Sequence, residues 1–213
     1  MKSTLFNMVA VLFTITLIAS AGVGAVNMIT EDAIAEANRQ ATVAAVANVL
    51  PAFEKSEMST MTIDDMPINI YTAVDGSGAV VGYAVETMTM SGFSGKVRMM
   101  VGFDAEGTIL NVNVLEQSET PGLGSKMCDE GNVLLASVQG KNPANLKLKV
   151  KKDGGDIDAL TAATISSRAY ADAVARAYEA FKVASGAQES TDGVSGTTAT
   201  HEGYDAQEGG DNE

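Results

Sequence analysis

Residues 68–116 read INIYTAVDGSGAVVGYAVETMTMSGFSGKVRMMVGFDAEGTILNVNVLE, and this stretch decides the fold. Strand-length runs rich in β-branched and apolar residues are cut by turn signals. Residues 68–74 stop at Asp75-Gly76-Ser77-Gly78, residues 79–90 at Ser91-Gly92, and residues 96–103 at Asp104-Ala105-Glu106-Gly107; residues 108–116 follow. Connections this short join antiparallel neighbours, because a parallel crossover needs a dozen residues or more. The reading is a mainly antiparallel sheet.

Downstream, residues 128–138 are read as a short helix and residues 145–150 as a further short strand. Residues 165–183 are the closing helix, with Tyr170, Val174, Ala177 and Phe181 on one face. From residue 184 the chain turns to Gly, Ser, Thr and acid. Seven acids and no Lys or Arg occupy residues 184–213, a composition with too little apolar surface to offset ordering entropy. It predicts a disordered acidic tail.

Upstream, residues 5–26 carry no charge over 22 positions. As a helix they span about 33 Å, enough for a hydrocarbon core of roughly 30 Å. Lys2 precedes them and Glu31 and Asp32 follow, which predicts a cytoplasmic N-terminus and an external remainder. A cleaved signal peptide ending at Ala19-Ser20-Ala21 is the rival reading, and it exports the remainder too. Residues 30–50 read as a helix or a continuation of the anchor, with Thr30 as N-cap and Pro51 as terminator. A polar stretch bearing Ser56, Ser59, Thr60 and Thr62 then leads in. The fold class is α+β: an N-terminal transmembrane helix, then an antiparallel sheet closed by a C-terminal helix. The expected divisions are 1–4 (cytoplasmic N-terminus), 5–26 (anchor), 27–59 (helical linker), 60–183 (domain) and 184–213 (tail).

Composition narrows the chemistry. A net charge of −13 repels a phosphate backbone, and with no Trp and 5% aromatic residues there is no stacking platform for bases. Nucleic acid is excluded as a partner. Cys128 is the only cysteine and His201 the only histidine, so no intrachain disulfide or Cys-ligated cluster can form. Any electron carrier must be an organic cofactor or belong to a partner, and no metal ligands are expected.

Two motifs stand out. Asp158-Ala159-Leu160-Thr161-Ala162-Ala163-Thr164-Ile165-Ser166-Ser167 leaves a loop and opens the closing helix. A helix start offers unpaired N–H groups and the positive end of its dipole, so a phosphate on Thr164 would meet those groups and the Ser166 and Ser167 hydroxyls. Taken alone, the motif reads as an ordinary N-cap. Glu119-Thr120-Pro121-Gly122-Leu123-Gly124-Ser125-Lys126 follows a strand; its Pro and glycines make an irregular loop, and Lys126 offers a cation to a phosphate. Taken alone, it is a turn. Among weaker candidates, Met88, Met90, Met99 and Met100 read as core filler. Gly92-Phe93-Ser94-Gly95 reads as a hairpin turn, with approach to an organic cofactor as the second reading; Cys128 reads as a small hydrophobe, and Asp64 and Asp65 as solvated charge.

Together, ETPGLG and, some 35 residues on, D-x-x-[ST]-[GA]-A-T resemble the FMN-binding domain of the Rnf complex G subunit. The C subunit of the sodium-pumping NADH:quinone reductase is its near relative. The resemblance runs through about Val183 and implies that an FMN transferase joins FMN by its phosphate to Thr164. Asp158 and Thr161 match the acid and hydroxyl positions of the recognition pattern. Glu119, Thr120, Gly122, Leu123 and Gly124 are implied at the cofactor, with Ser166, Ser167 and Lys126 as the groups that the residues themselves offer to its phosphate. Ala162 stands where Gly is commoner, which matters only if the backbone there needs φ > 0. The implied protein is an electron-transfer subunit of the inner (cytoplasmic) membrane, with its domain on the periplasmic side and other membrane and peripheral subunits as partners. The complex moves electrons between ferredoxin and NAD, coupled to Na+ or H+ transport, and this chain would not turn over alone. A quinone-reductase C subunit, a stand-alone extracytoplasmic flavoprotein and a cofactor-free anchored binding module remain as alternatives.

Overall fold

The computed structural model describes residues 5–186. Residues 1–4, expected in the cytoplasm, and residues 187–213 of the expected tail lie outside the described residues. The chain divides into two compact units, Met1–Ala41 and Thr42–Glu213.

Helix α1 runs unbroken over Leu5–Val49. Within it lies a segment long and apolar enough to cross a membrane, with a mean hydropathy of 2.2. Leu12, Phe13 and Ile18 are 64–65% exposed, apolar surface of the kind a bilayer covers. This helix fits membrane anchoring. The expected N-cap at Thr30 is not there: its hydroxyl donates to the Val26 carbonyl at 2.9 Å, one turn back inside the same helix. A mid-helix Thr satisfies its hydroxyl in this way without ending the helix.

In the second unit, β1 (Lys55–Ile63), β2 (Met66–Val74), β3 (Val80–Gly92), β4 (Gly95–Phe103) and β5 (Ile109–Gln117) form one antiparallel sheet in sequence order. The polar stretch bearing Ser56, Ser59, Thr60 and Thr62, expected as a lead-in, is β1 itself, and it begins inside the 27–59 span expected as a helical linker. It is an edge strand, whose half-exposed faces need little apolar alternation. Asp64 and Asp65, with φ of 51° and 59°, make the two-residue turn between β1 and β2. Both positive φ values suit the right-handed twist of a hairpin, and Asp tolerates them. Asp64 is also more than solvated charge, since Arg176 Nε lies 3.4 Å from its Oδ2.

Helix α3 (Thr164–Ala184) covers one face of the sheet. Tyr170, Val174, Ala177 and Phe181 bury against Ile70, Val85, Val97, Met99, Val101 and Phe103. Phe181 stacks on Phe103 at 4.9 Å and meets Tyr83 edge-on at 5.3 Å. The other face takes the end of α1, where Ala45, Val46 and Val49 pack on Ala73, Ala84 and Met100. Met99, Met100, Val101, Gly102 and Phe103 are therefore all buried, as in a strand covered on both sides. Beyond Met100 that face continues as a polar ladder across all five strands. Thr60 donates to Asn69, Asn69 to Glu86, Arg98 to Glu86 and Glu116, and Lys96 pairs with Glu116.

Two expected elements differ. Residues 128–138 resolve into a 3-10 turn, Gly124–Cys128, and a short helix α2, Val133–Val138, capped by Asn132. Residues 145–150 form no strand, despite alternating Leu146, Leu148 and Val150. Lys147 instead exchanges hydrogen bonds with Asp156 through its N–H and carbonyl, and Val150 bridges only Ile157. The segment folds on its own loop rather than pairing with an edge strand of the sheet.

Gly102 is the close-approach point between α1 and the sheet, because an added Cβ would run into the Val49 carbonyl and sit 2.8 Å from its Cβ. Gly102→Ala is expected to cost about 1–3 kcal/mol, read as a lowered urea midpoint. An unchanged midpoint would mean that α1 is not held there.

Candidate functional site

Three segments meet at one end of α3. The β3–β4 turn brings Phe93, the loop after β5 brings Glu119, Thr120, Leu123 and Gly124, and the entry to α3 brings Ala162, Ala163, Thr164, Ile165 and Ser166. They line a cleft of about 360 Å³, at the lower end of the roughly 300–1,000 Å³ usual for small-molecule sites. Phe93 is 65% and Ile165 45% exposed, so the rim is apolar and open.

The floor is polar. Ala163 is the N-cap of α3 and supplies no side-chain cap. The N–H groups of Thr164, Ile165 and Ser166 have no partner among the described residues, while Ser167 N–H bonds the Ala163 carbonyl at 3.0 Å. Thr164 is half-buried, and its hydroxyl makes no hydrogen bond among the described residues. An uncapped start with three open N–H groups suits an anion, most simply a phosphate.

The neighbouring hydroxyls do not share that task. Ser166 is buried and donates its proton to Glu119 Oε2. Ser167, fully buried, donates to the Ala163 carbonyl and accepts Leu160 N–H, both at 2.9 Å. Each hydroxyl has one proton, so neither can donate to a phosphate as the sequence suggested. That leaves the backbone.

Other expected site residues lie outside the cleft lining. Lys126 is exposed and, contrary to expectation, presents no cation to the cleft. Gly122 is a turn residue with φ of 75° and open space around it. Thr161 is exposed on the loop. Asp158 pairs with Lys151 at 2.7 Å, which holds its carboxyl below the usual carboxylate range. That pair is intact at neutral pH and is lost as pH falls through the depressed value. Cys128 is exposed rather than packed; partial burial, then the charge of Asp129, push its thiol up, away from a reactive thiolate.

Residues 92–179 match the FMN-binding domain family. The chain is 35% identical over 173 residues to the G subunit of the ion-translocating oxidoreductase complex of Shewanella amazonensis, covering 75% of this chain and 80% of that one. The chain belongs to this G-subunit family. The G subunit of the Na(+)-translocating ferredoxin:NAD(+) oxidoreductase complex of Acetobacterium woodii is 29% identical, over 77% of this chain and 85% of its own. Among solved structures, that of Shewanella oneidensis NqrC aligns over 53% of this chain and 54% of its own, at 23% identity and a TM-score of 0.36.

The FMN match begins at Gly92, in the turn that carries Phe93, and includes the whole cleft. The residues fit the cofactor of this G-subunit family: open N–H groups for a phosphate, and Phe93, Leu123 and Ile165 for a flat aromatic ring. Ile165 was not singled out from the sequence, and Phe93 was noted only as part of the Gly92–Gly95 turn. The available signal was a large apolar residue at a hairpin apex and another in the exposed first turn of a helix, where burial against a partner or ligand is the usual reason.

Ala162 sits at φ 60°, the left-handed region that favours Gly. Ala162→Gly is therefore expected to stabilise the domain by about 0.5–1 kcal/mol, relief of strain exceeding the added chain entropy. A lowered thermal midpoint would contradict that account of the loop.

Proposed function

We propose that this chain is the electron-transfer G subunit of an ion-translocating complex working between ferredoxin and NAD, and that it carries FMN as a phosphoester on Thr164. The observation that carries the reading is the uncapped start of α3, with a free Thr164 hydroxyl beside three open N–H groups. When bound, FMN supplies reversible electron transfer, which no side chain here provides. Thr164 is the anchoring oxygen. The N–H groups of Thr164, Ile165 and Ser166 would hold the phosphate, and Phe93, Leu123 and Ile165 would offer apolar surface to the ring. Thr120 and Gly124 complete the wall.

In this reading an FMN transferase makes the link from an activated flavin nucleotide, one whose FMN phosphate is joined to a second phosphate. The Thr164 oxygen would bond to the FMN phosphorus, and the P–O bond to the second phosphate would break. That phosphate would leave with the hydroxyl proton, and the chain would gain FMN less one water. Half-exposed Asp158 and exposed Thr161, ahead of the cleft, are surfaces for that enzyme rather than for the flavin. Lys2 before the anchor and Glu31 and Asp32 within α1 support a domain outside the cytoplasm. The partners are the other membrane and peripheral subunits of the complex.

Thr164→Val keeps the shape and removes the oxygen. It should abolish covalent flavin while changing stability by about 1 kcal/mol or less. Asp158→Asn should slow attachment. Each variant is co-expressed with an FMN transferase, denatured, and read by flavin fluorescence in the gel band. Fluorescence from Thr164→Val would move the attachment to another hydroxyl. A dark band from the parent chain beside an active transferase would favour a cofactor-free binding module.

A further inference from the structure

Glu119 joins three segments that are distant in sequence. It is 4% exposed. Its Oε1 accepts the Ser94 N–H of the β3–β4 turn at 3.0 Å, and its Oε2 accepts the Ser166 hydroxyl from the first turn of α3. Its own N–H donates to Gln117 Oε1 at 2.6 Å. Backbone packs close on two sides of it: a Cβ on Gly92 would lie 2.7 Å from Oε1, and one on Gly124 2.7 Å from Oε2. No Lys or Arg pairs with this carboxylate among the described residues. A buried carboxylate held only by neutral donors costs desolvation that a neutral clasp would avoid. It also lines the same cleft wall as Thr164.

We propose that Glu119 is a positioning residue for the flavin site. Through Ser166 it fixes the first turn of α3, so that the open N–H groups and the Thr164 hydroxyl face one phosphate. Through Ser94 it fixes the turn that carries Phe93. Its charge also lies beside the cleft, where it disfavours added electron density on a bound ring. The same contact explains Gly124, whose missing Cβ makes space for Glu119 and Ser166 rather than for the cofactor. The proposal rests on the FMN reading above, but the clasp itself can be read without flavin.

Two variants separate position from charge. Glu119→Gln can keep its oxygen on Ser94 N–H and turn its amide toward Ser166 Oγ, so it retains the clasp and loses the charge. Glu119→Ala loses both. In the flavin-free full-length chain, amide hydrogen exchange at Ser94 should rise in Glu119→Ala and stay near the parent in Glu119→Gln. With an FMN transferase, Glu119→Ala should attach flavin about tenfold more slowly or worse. Glu119→Gln should attach it at the parent rate and show a more positive flavin midpoint potential. Parent-rate attachment in Glu119→Ala, or an unchanged potential in Glu119→Gln, would overturn the proposal. If the parent chain takes no flavin, the FMN reading fails, and unchanged Ser94 exchange in Glu119→Ala would still overturn the clasp on its own.

Discussion

Everything at the site depends on how α3 lies on the sheet. Tyr170, Val174, Ala177 and Phe181 lock one face of the helix into the β2–β4 core, and burial of each large apolar side chain contributes about 1.5–3 kcal/mol. The Phe181 end is fixed by Phe103 and Tyr83. With that end and that face fixed, the helix start has one place to be, beside the β3–β4 turn and the loop after β5. Loops carry the cleft, but the rigid packing beneath them sets its geometry. Arg176 adds a second tie, reaching the Met88 carbonyl at 2.8 Å and Asp172 on its own helix at 3.2 Å.

Around that start the polar groups divide the labour. Ser167 closes the entry loop onto the helix, and Ser166 reaches across to Glu119. Thr161 sits on exposed loop, leaving Thr164 as the motif hydroxyl that lines the cleft without a partner among the described residues. The helix gives up a side-chain cap, worth about 1 kcal/mol in an ordinary protein, and accepts a strained Ala162. Both local costs make sense if a bound phosphate takes the place of the cap.

The sequence made four of the five strands legible because each of those ended at a turn with its own chemistry, and α3 legible because its apolar spacing was regular; β1 was missed because an edge strand this polar lacks apolar alternation. The 145–150 segment misled for a physical reason: alternation marks a half-buried chain, and a loop packed on itself alternates as well as a strand does. Thr30 misled because a hydroxyl satisfied inside a helix has the same composition as a cap. At the site, the motif drew attention to ten residues, five of which line the cleft, but it did not say where each proton goes. That depends on contacts across the fold, such as Ser166 with Glu119, 47 positions apart. Lys126 was expected by charge alone, and the direction a loop side chain takes is not written in its neighbours. The turn that carries Phe93 was ranked as a plain hairpin because an isolated exposed apolar residue is common on any surface.

The attachment itself is the central claim, and one peptide reports on it. Trypsin should release residues 153–168, from Asp153 to Arg168, which hold Thr161, Thr164, Ser166 and Ser167 together. Tandem mass spectrometry of that peptide, from protein made in its own host, should find it heavier by one FMN less one water, with the added mass on Thr164. The unmodified peptide alone, or the added mass on any of the other three hydroxyls, would contradict the account.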